Sequence, residues 1–434
     1  MITEIKLPLE KVTLQSFSSA NNEPSWLMEL REKAFDSLAS LEMPKPDKTN
    51  IRNWNFTEFS NHTVDSNVFS SLDELPEEVK ALLDAEEKHN IYVQRNNTPA
   101  YVSLSETLKE QGVIFTDIIT AAREHSELVQ KYFMTKGIKS DEHRLTALHA
   151  ALMNGGIFIY VPKNVEIKEP LQAVFLRDNK DASLFNHALI VADENSQVTY
   201  VENYISTVEG AGLANILTEV IAENGAKVLY GAVDTLTKDV VTYVNRRGVV
   251  GNDATIEWAL GQMNDGNTIS ENVTNLVGNG SNSNAKTVVV GRGEQKQNFT
   301  TNIRHFGKNS EGFILSHGVM KDSASAIFNG IGKIEHGASK ANAEQETRVL
   351  MLSEKARGDA NPMLLIDEDD VMAGHAASVG RVDPLQLYYL MSRGISKKEA
   401  ERLIIHGFLA PVVKALPVEA VKKQLVEVIE RKVR

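Results

Sequence analysis

ENSQVTYV (194–201), ENGAKVLY (223–230) and GNDATIEW (251–258) are variants of one unit, a polar turn running straight into a β-branched strand. The turn residues Asn195, Asn224, Asn252, Asn282 and Asn309 stand 29, 28, 30 and 27 residues apart, and each precedes a new apolar run. GIFIYVP, LQAVFLR, HALIVAD, QVTYVENY, ANILTEVIAE, AKVLYGAV, VVTYVNRRGVV, ATIEWAL, TISENVTNLV and KTVVVGRG share this texture. No long amphipathic helix interrupts about 200 residues from Gly156. A repeat of this length holds two or three short strands, which is one coil of a parallel β-helix. A single coil cannot bury its inward Val, Ile and Leu side chains, so coils stack, and the unpaired ends need covers. A β-sandwich would instead show hairpin turns every ~8–12 residues and no long-range period. The period favours the β-helix.

Helical sequence lies on both sides. Residues 1–22 are polar and weakly patterned and read as an extended arm. From Ser25, the residues Trp26, Leu27, Leu30, Ala34 and Leu38 recur at helical spacing, up to Pro44 and Pro46. An aromatic segment, IRNWNFTEF (51–59), and a polar linker follow. The pattern from Leu75 to about Met153 is again helical, including EEVKALLDAEE (77–87) and SDEHRLTALHAALMN (140–154). Ser140 or Asp141 is the expected cap of the latter, and Asn154-Gly155-Gly156 its stop. After Asp383 the chain turns helical once more. Asp383-Pro384 is an N-cap with proline at the first helical position, and Gly394 ends that helix. Ser396 to Glu399 reads as a capping box, Pro411 as a bend or stop, and the segment after Pro417 as a last helix. Leu387, Tyr388, Leu390, Leu403, Ile404 and Phe408 form a stripe too apolar for two short solvent-facing helices. It either packs on the end of the β-helix or docks a partner. The expected division is a mainly helical region over 1–154, a β-helix core over 155–382 and a helical docking region over 383–434.

Bulk properties narrow the function classes. A chain of 434 residues with 42% hydrophobic and 24% charged residues is ordinary for a folded protein with a sizeable core. A net charge of -12 argues against a general nucleic-acid binder. No apolar run approaches ~18 residues, so no membrane span is expected. The start, MITEIKLPLEKV, lacks the basic and apolar regions of a secretory signal, so a cytoplasmic protein is expected. With no cysteine, disulfides, thiolate metal sites and a thiol nucleophile are excluded within this chain alone. The phosphate loop, dinucleotide fingerprint, nucleophile elbow and zincin motifs are also missing, so the chain shows no phosphate loop of its own, no nucleophile elbow and no zincin helix.

Of eleven histidines, four are candidates for chemistry: His305, His317, His336 and His375. A neutral imidazole suits iron or zinc. His305 and His317 lie on successive strand runs and could share a face of the β-helix; ordinary surface or strand-edge histidines are the plainer reading for these two and His336. His375 stands apart, in a small-residue loop, Met-Ala-Gly-His-Ala-Ala-Ser, that lets a partner approach closely. Asp367-Glu368-Asp369-Asp370 lacks the spacing of a calcium loop and reads as a solvated run. Arg246-Arg247 and the tail Arg431, Lys432 and Arg434 read the same way.

The stretch from Phe328-Asn329-Gly330 onward, and then ANAEQETRVLMLSEKARGDANPMLLIDEDDVMAGHAASVGRVDPLQLYYLMSRGIS (341–396), closely resembles the SufB/SufD family of iron–sulfur cluster assembly proteins. LMLSEKA, NPMLLI, DDV, GHAASVGRVD and YYLMSRGI carry the resemblance in order and spacing. WLMELREKAF (26–35) and the Trp54 segment are similar to the SufD branch. The resemblance implies a right-handed parallel β-helix between helical ends, and a complex with a SufB-type scaffold and a SufC-type ABC ATPase. The ATPase would dock between Leu385 and about Val413, and the scaffold would pair through the last core strands; an isolated chain could self-pair there. His375 matches a family histidine implicated in iron entry and nascent cluster assembly, although Ala373-Gly374-His375-Ala376 replaces the Cys-Ser-His-Gly of many relatives. On this reading the chain is no enzyme and holds no cofactor stably alone, and a cluster only transiently in the complex. Lacking the scaffold's cysteine, it would not be the SufB-type subunit.

Two other classes compete. A carbohydrate-active β-helix enzyme would use paired carboxylates on one face, but such enzymes usually act outside the cell, and 6% aromatic residues leave few sugar platforms. A purely structural adaptor would leave His375 as a packing residue.

Overall fold

One left-handed backbone position opens each coil. Asn164, Asn195, Gly225, Asp253, Gly280, Asn309 and Lys340 all have φ between 53° and 68°, a region that Asn, Asp and Gly enter at least cost. The asparagines next to them also join coil to coil. Asn224 Oδ1 accepts the Asn252 N–H at 2.9 Å, Asn252 Oδ1 the Asn279 N–H at 2.8 Å, and Asn279 Oδ1 the Lys308 N–H at 2.9 Å. Asn282, expected as a turn, is the first residue of a strand; Asn279-Gly280 makes that turn.

The computed structural model describes residues 10–83, 89–415 and 419–433. The N-terminal region contains helices α1 (Lys11–Ala20), α2 (Ser25–Ser37) and α3 (Glu77–Lys80), then strands β1 (Ile91–Arg95) and β2 (Thr98–Ser103). Helix α4 (Glu106–Glu110), strand β3 (Ile114–Asp117) and helices α5 (Ile118–Glu124), α6 (Ser126–Tyr132) and α7 (Arg144–Leu152) complete it. The next strands are β4 (Gly155–Val161), β5 (Leu171–Arg177), β6 (Leu184–Ala192), β7 (Gln197–Ser206), β8 (Gly212–Ala222), β9 (Lys227–Thr235), β10 (Val240–Val250) and β11 (Thr255–Gln262). They continue as β12 (Thr268–Leu276), β13 (Asn282–Gly291), β14 (Lys296–His305), β15 (Glu311–Met320), β16 (Ser325–Ile334), β17 (Asn342–Met351), β18 (Arg357–Ile366) and β19 (Met372–Arg381). Helices α8 (Pro384–Ser392), α9 (Lys397–Ala415) and α10 (Glu419–Val433) follow.

Odd-numbered strands from β5 to β19 form one sheet and even-numbered strands from β4 to β18 the other, each in sequence order and parallel. This is a parallel β-helix of two sheets, mainly β, with helices at both ends. Every coil gives one strand to each sheet, so period-2 alternation sends one set of side chains between the sheets. That interior holds Tyr200, Tyr230, Trp258, Ile216, Val244 and Ile256, all fully buried.

Both outer faces are covered over most of their length. α2, α5, α6 and α7 bury Leu27, Ala121, Val129, Leu148 and Leu152 against Phe158, Phe185, Leu189, Leu217 and Tyr243 of the even-numbered sheet. α9 and α10 bury Ile405, Leu409, Val412, Leu425 and Ile429 against Val201, Val233, Val288 and Val319 of the odd-numbered sheet. Strands β1, β2 and β3 cap the first coil by pairing with β5 and β4.

Several local expectations are corrected. The arm expected over 1–22 is helical at Lys11–Ala20, because Leu14 buries itself against the α2 side of the N-terminal core; residues 1–9 lie outside the described residues. The helix expected over 77–87 extends only over Glu77–Lys80, and 84–88 lie outside the described residues. Residues 91–117 supply strands because the open edge of the first coil offers them a ladder. The cap of α7 is His143, whose Nδ1 accepts from the Leu145 and Thr146 N–H groups while Thr146 Oγ1 accepts the His143 N–H. Helix α9 continues through Pro411 to Ala415, since the buried Ile405, Leu409, Val412 and Val413 stripe holds both halves on the sheet. Ser396 Oγ accepts the Glu399 N–H, but the Glu399 carboxylate binds Arg402 instead of closing a capping box. Among the described residues, no helix is long and apolar enough to cross a membrane.

Candidate functional site at the open end of the β-helix

Neither cover reaches the last coil. Among the described residues β18 pairs only with β16 and β19 only with β17, so each presents one unpaired ten-residue edge. Such edges are templates for another chain. Met372, Val379, Leu365 and Ile366 are exposed there, Met372 at 66%. One segment from the N-terminal region does reach this far. Asn298 Nδ2 donates to the Asp47 carbonyl and to Thr49 Oγ1, and Lys48 Nζ donates to Asn361 Oδ1 of β18 at 2.7 Å.

His375 lies on β19, in a strand rather than the expected loop, and is exposed. Its register partner is Gln345, a residue buried between the sheets, so His375 stands at the mouth of the interior. Gln345 Nε2 donates to the Met363 carbonyl at 2.9 Å, while Gln345 Oε1 is buried without a partner among the described residues. Among the described residues His375 makes no hydrogen bond or ion pair, and no three His, Cys, Asp or Glu side chains converge on a metal position. The imidazole is therefore unpartnered among the described residues. A Cβ built on Gly374 or Gly380 would meet nothing within 4 Å, so these glycines leave space in front of the strand.

The helix pair begins two residues after this strand. Asp383 caps α8 by accepting the Leu385 N–H at 2.9 Å, and Pro384 takes the first helical position. On α8, Leu385 is 75% and Tyr388 71% exposed, with Tyr389, Met391 and, on α9, Leu403 also outward. Leu387, Leu390, Ile404 and Phe408 are half-buried. The predicted stripe thus divides, Tyr388 and Leu403 facing out while Ile404 and Phe408 edge the core. Sequence reasoning missed Leu385, Tyr389 and Met391, which a helical wheel of α8 alone would have placed beside Tyr388. A cleft of about 470 Å³ between strand and helix is lined by Leu350, Arg381, Asp383, Gln386, Ile404, Gly407 and Phe408.

The other candidates disperse. His305 and His317 do not share a face, since they belong to different sheets. His305 is sealed in the interior, with Nδ1 on Ser310 Oγ at 2.9 Å, and burial pushes its pKa down to about 4. His317 is buried under α9, and burial lowers it too, against the pull of the Phe408 carbonyl and Glu346. His336 is 91% exposed in its side chain, 3.9 Å from Glu368. Glu368 itself accepts the Gly337 N–H and is held below the ordinary carboxylate range by that bond first. Arg246 and Lys432 are not solvated charges. Arg246 is fully buried against Asp234, and Lys432 donates to the Met263 and Asn264 carbonyls beside Asp265, because each closes a site that a neutral side chain would leave with orphaned acceptors. Arg434 lies outside the described residues.

Comparison with known proteins agrees with this architecture. Residues 175–408 match the family model described as SUF system FeS cluster assembly, SufBD core domain, and residues 15–173 match the SufBD protein N-terminal region. The iron–sulfur cluster assembly protein SufD of Bacillus subtilis is 68% identical, with 99% of both chains aligned. An iron–sulfur cluster assembly SufBD family protein of Staphylococcus saprophyticus is 30% identical over 94% of this chain and 89% of its own length, and one of Staphylococcus haemolyticus is equally similar. A two-sheet β-helix matched by the core model, a helical cover matched by the N-terminal model and a relative alike from end to end make one conclusion: the chain belongs to the SufBD family.

Proposed function

We propose that the chain is a non-catalytic, SufD-type subunit of a cytoplasmic iron–sulfur cluster assembly complex. Its terminal coil pairs with a SufB-type scaffold, and α8 with the outer face of α9 docks a SufC-type ABC ATPase. One observation carries the reading: strand β19, with His375 and an unpaired edge, runs through only Val382 and Asp383 into the exposed apolar helix α8. Two uncovered surfaces joined that closely suit a subunit that passes nucleotide-driven movement to a second partner. The iron or nascent cluster is cargo, held between chains. His375 would give it one nitrogen ligand beside thiolates of the scaffold, and imidazole in place of thiolate shifts a cluster to higher potential. Neither edge needs a partner of fixed identity, so an isolated chain would self-pair through β18 and β19.

The test is co-purification with scaffold and ATPase subunits, followed by anaerobic cluster reconstitution with wild-type chain and with His375→Ala. The reading expects an intact complex in both cases and a lower cluster yield in the variant. A chain that binds neither subunit would remove the reading, and an unchanged yield would remove the ligand role.

A further inference from the structure

His317 is fixed at a join between elements. Its Nδ1 donates to the Phe408 carbonyl of α9 at 2.9 Å, and its ring stacks on the Phe408 ring at 4.9 Å and 26°. The other ring nitrogen, Nε2, is buried without a hydrogen bond among the described residues, 3.6 Å from Glu346 Oε1 of β17. Glu346 is paired with Arg348 at 2.6 Å, and these two residues stand in register with Ala376 and Ser378 of β19, next to His375. A single imidazole therefore touches the helix that carries the docking stripe and the strand that holds the terminal strand in place.

The helix lacks one backbone hydrogen bond where the imidazole grips it. Pro411 has no N–H to give the Gly407 carbonyl, and Gly407 itself weakens a helix interior. Kinks form at such pairs. A bond from the sheet to the carbonyl of Phe408, between them, ties the hinge to the β-helix.

We propose that His317 is the positioning residue through which α9 sets the order of terminal strand β19. The proposal deepens the docking reading above and rests on it for its purpose, but the link itself can be tested in the isolated full chain.

Gly407→Ala is the perturbation, since its added Cβ would meet nothing within 4 Å and alanine stiffens a helix. Backbone hydrogen exchange is the readout. Gly407→Ala should slow exchange in α9 and in residues 372–381 on the order of five-fold. With His317→Phe, which keeps a ring and removes the donor, it should slow α9 alone. With His317→Asn, which keeps a donor at the Nδ1 position, the response of 372–381 should return; if the Phe chain does not fold, His317→Leu, which also removes the donor, takes its place. Three outcomes overturn the proposal: no response of β19 to Gly407→Ala, an equal response with Phe at 317, or an equal response of β13, which would mean general tightening. Docking is read separately by co-purification. A chain that binds neither subunit but shows the coupling keeps the link and loses the docking reading, and the reverse result loses only the link.

Discussion

Arg246 lies fully buried between the sheets. Its Nη2 is 3.0 Å from Asp234 and 3.8 Å from Glu202, so two carboxylates face one guanidinium. Tyr200 and Tyr230 donate to Glu202, yet burial dominates and pushes the Glu202 pKa up from 4.5 to about 7. Between those values the folded chain keeps a proton that the unfolded chain has lost, so this group stabilises the fold most below pH 4.5 and its contribution falls as pH rises through 7. His62, His143 and His305 run the other way. Burial lowers each to about 4 from 6.5, so the unfolded chain binds more protons in that window and stability rises with pH across it. Glu202→Gln should therefore leave the histidine slope alone, and urea unfolding across that pH range should show a midpoint climbing more steeply than in the wild type. Arg246→Met leaves two buried carboxylates without a cation and should cost about 3–5 kcal/mol, read in the same titration at neutral pH. None of this was legible in Arg246-Arg247. Alternation puts Arg246 and Arg247 on opposite faces, but it does not say which face is the interior.

At the scale of elements, the turns were the legible part and the covers were not. A turn is set by its own residues, so Asn195, Asn224, Asn252 and Asn309 announced the coils directly, and only Asn282 misled, lying three residues past the true turn. Asn252→Ala should break one rung between coils and leave the Asn279 N–H to water, a loss of about 0.5–1.5 kcal/mol by equilibrium unfolding. The caps at Asp383 and Gly394 were readable for the same reason. Helix α9 was not, because its passage through Pro411 depends on Leu409, Val412 and Val413 being pressed onto β13 and β15. Strands β1 to β3 likewise exist because the first coil has an edge to fill.

For the whole molecule, the two covered faces and the bare last coil give it a direction. The closed end lies under β1, β2 and β3, and the open end carries His375 beside α8. Leu385→Ser with Tyr388→Ser changes only exposed side chains, so stability should move within about 0.5 kcal/mol. Co-purification should then lose the ATPase subunit and keep the scaffold. Met372→Asp should do the opposite by placing a charge on the β19 edge. Loss of both partners in either variant would mean that the surfaces are not separate. The core strands, the coil period, four of the five expected turns, the caps of α8 and the family motifs were legible in the amino-acid sequence, because each depends on residues close together in the chain. The tertiary structure decided which strand face is interior, that Arg246 and Lys432 are buried, that His305 and His317 part company, and that His375 faces an open mouth. Those depend on contacts between residues far apart in the chain, where both faces of a strand are covered and alternation no longer tells inside from outside.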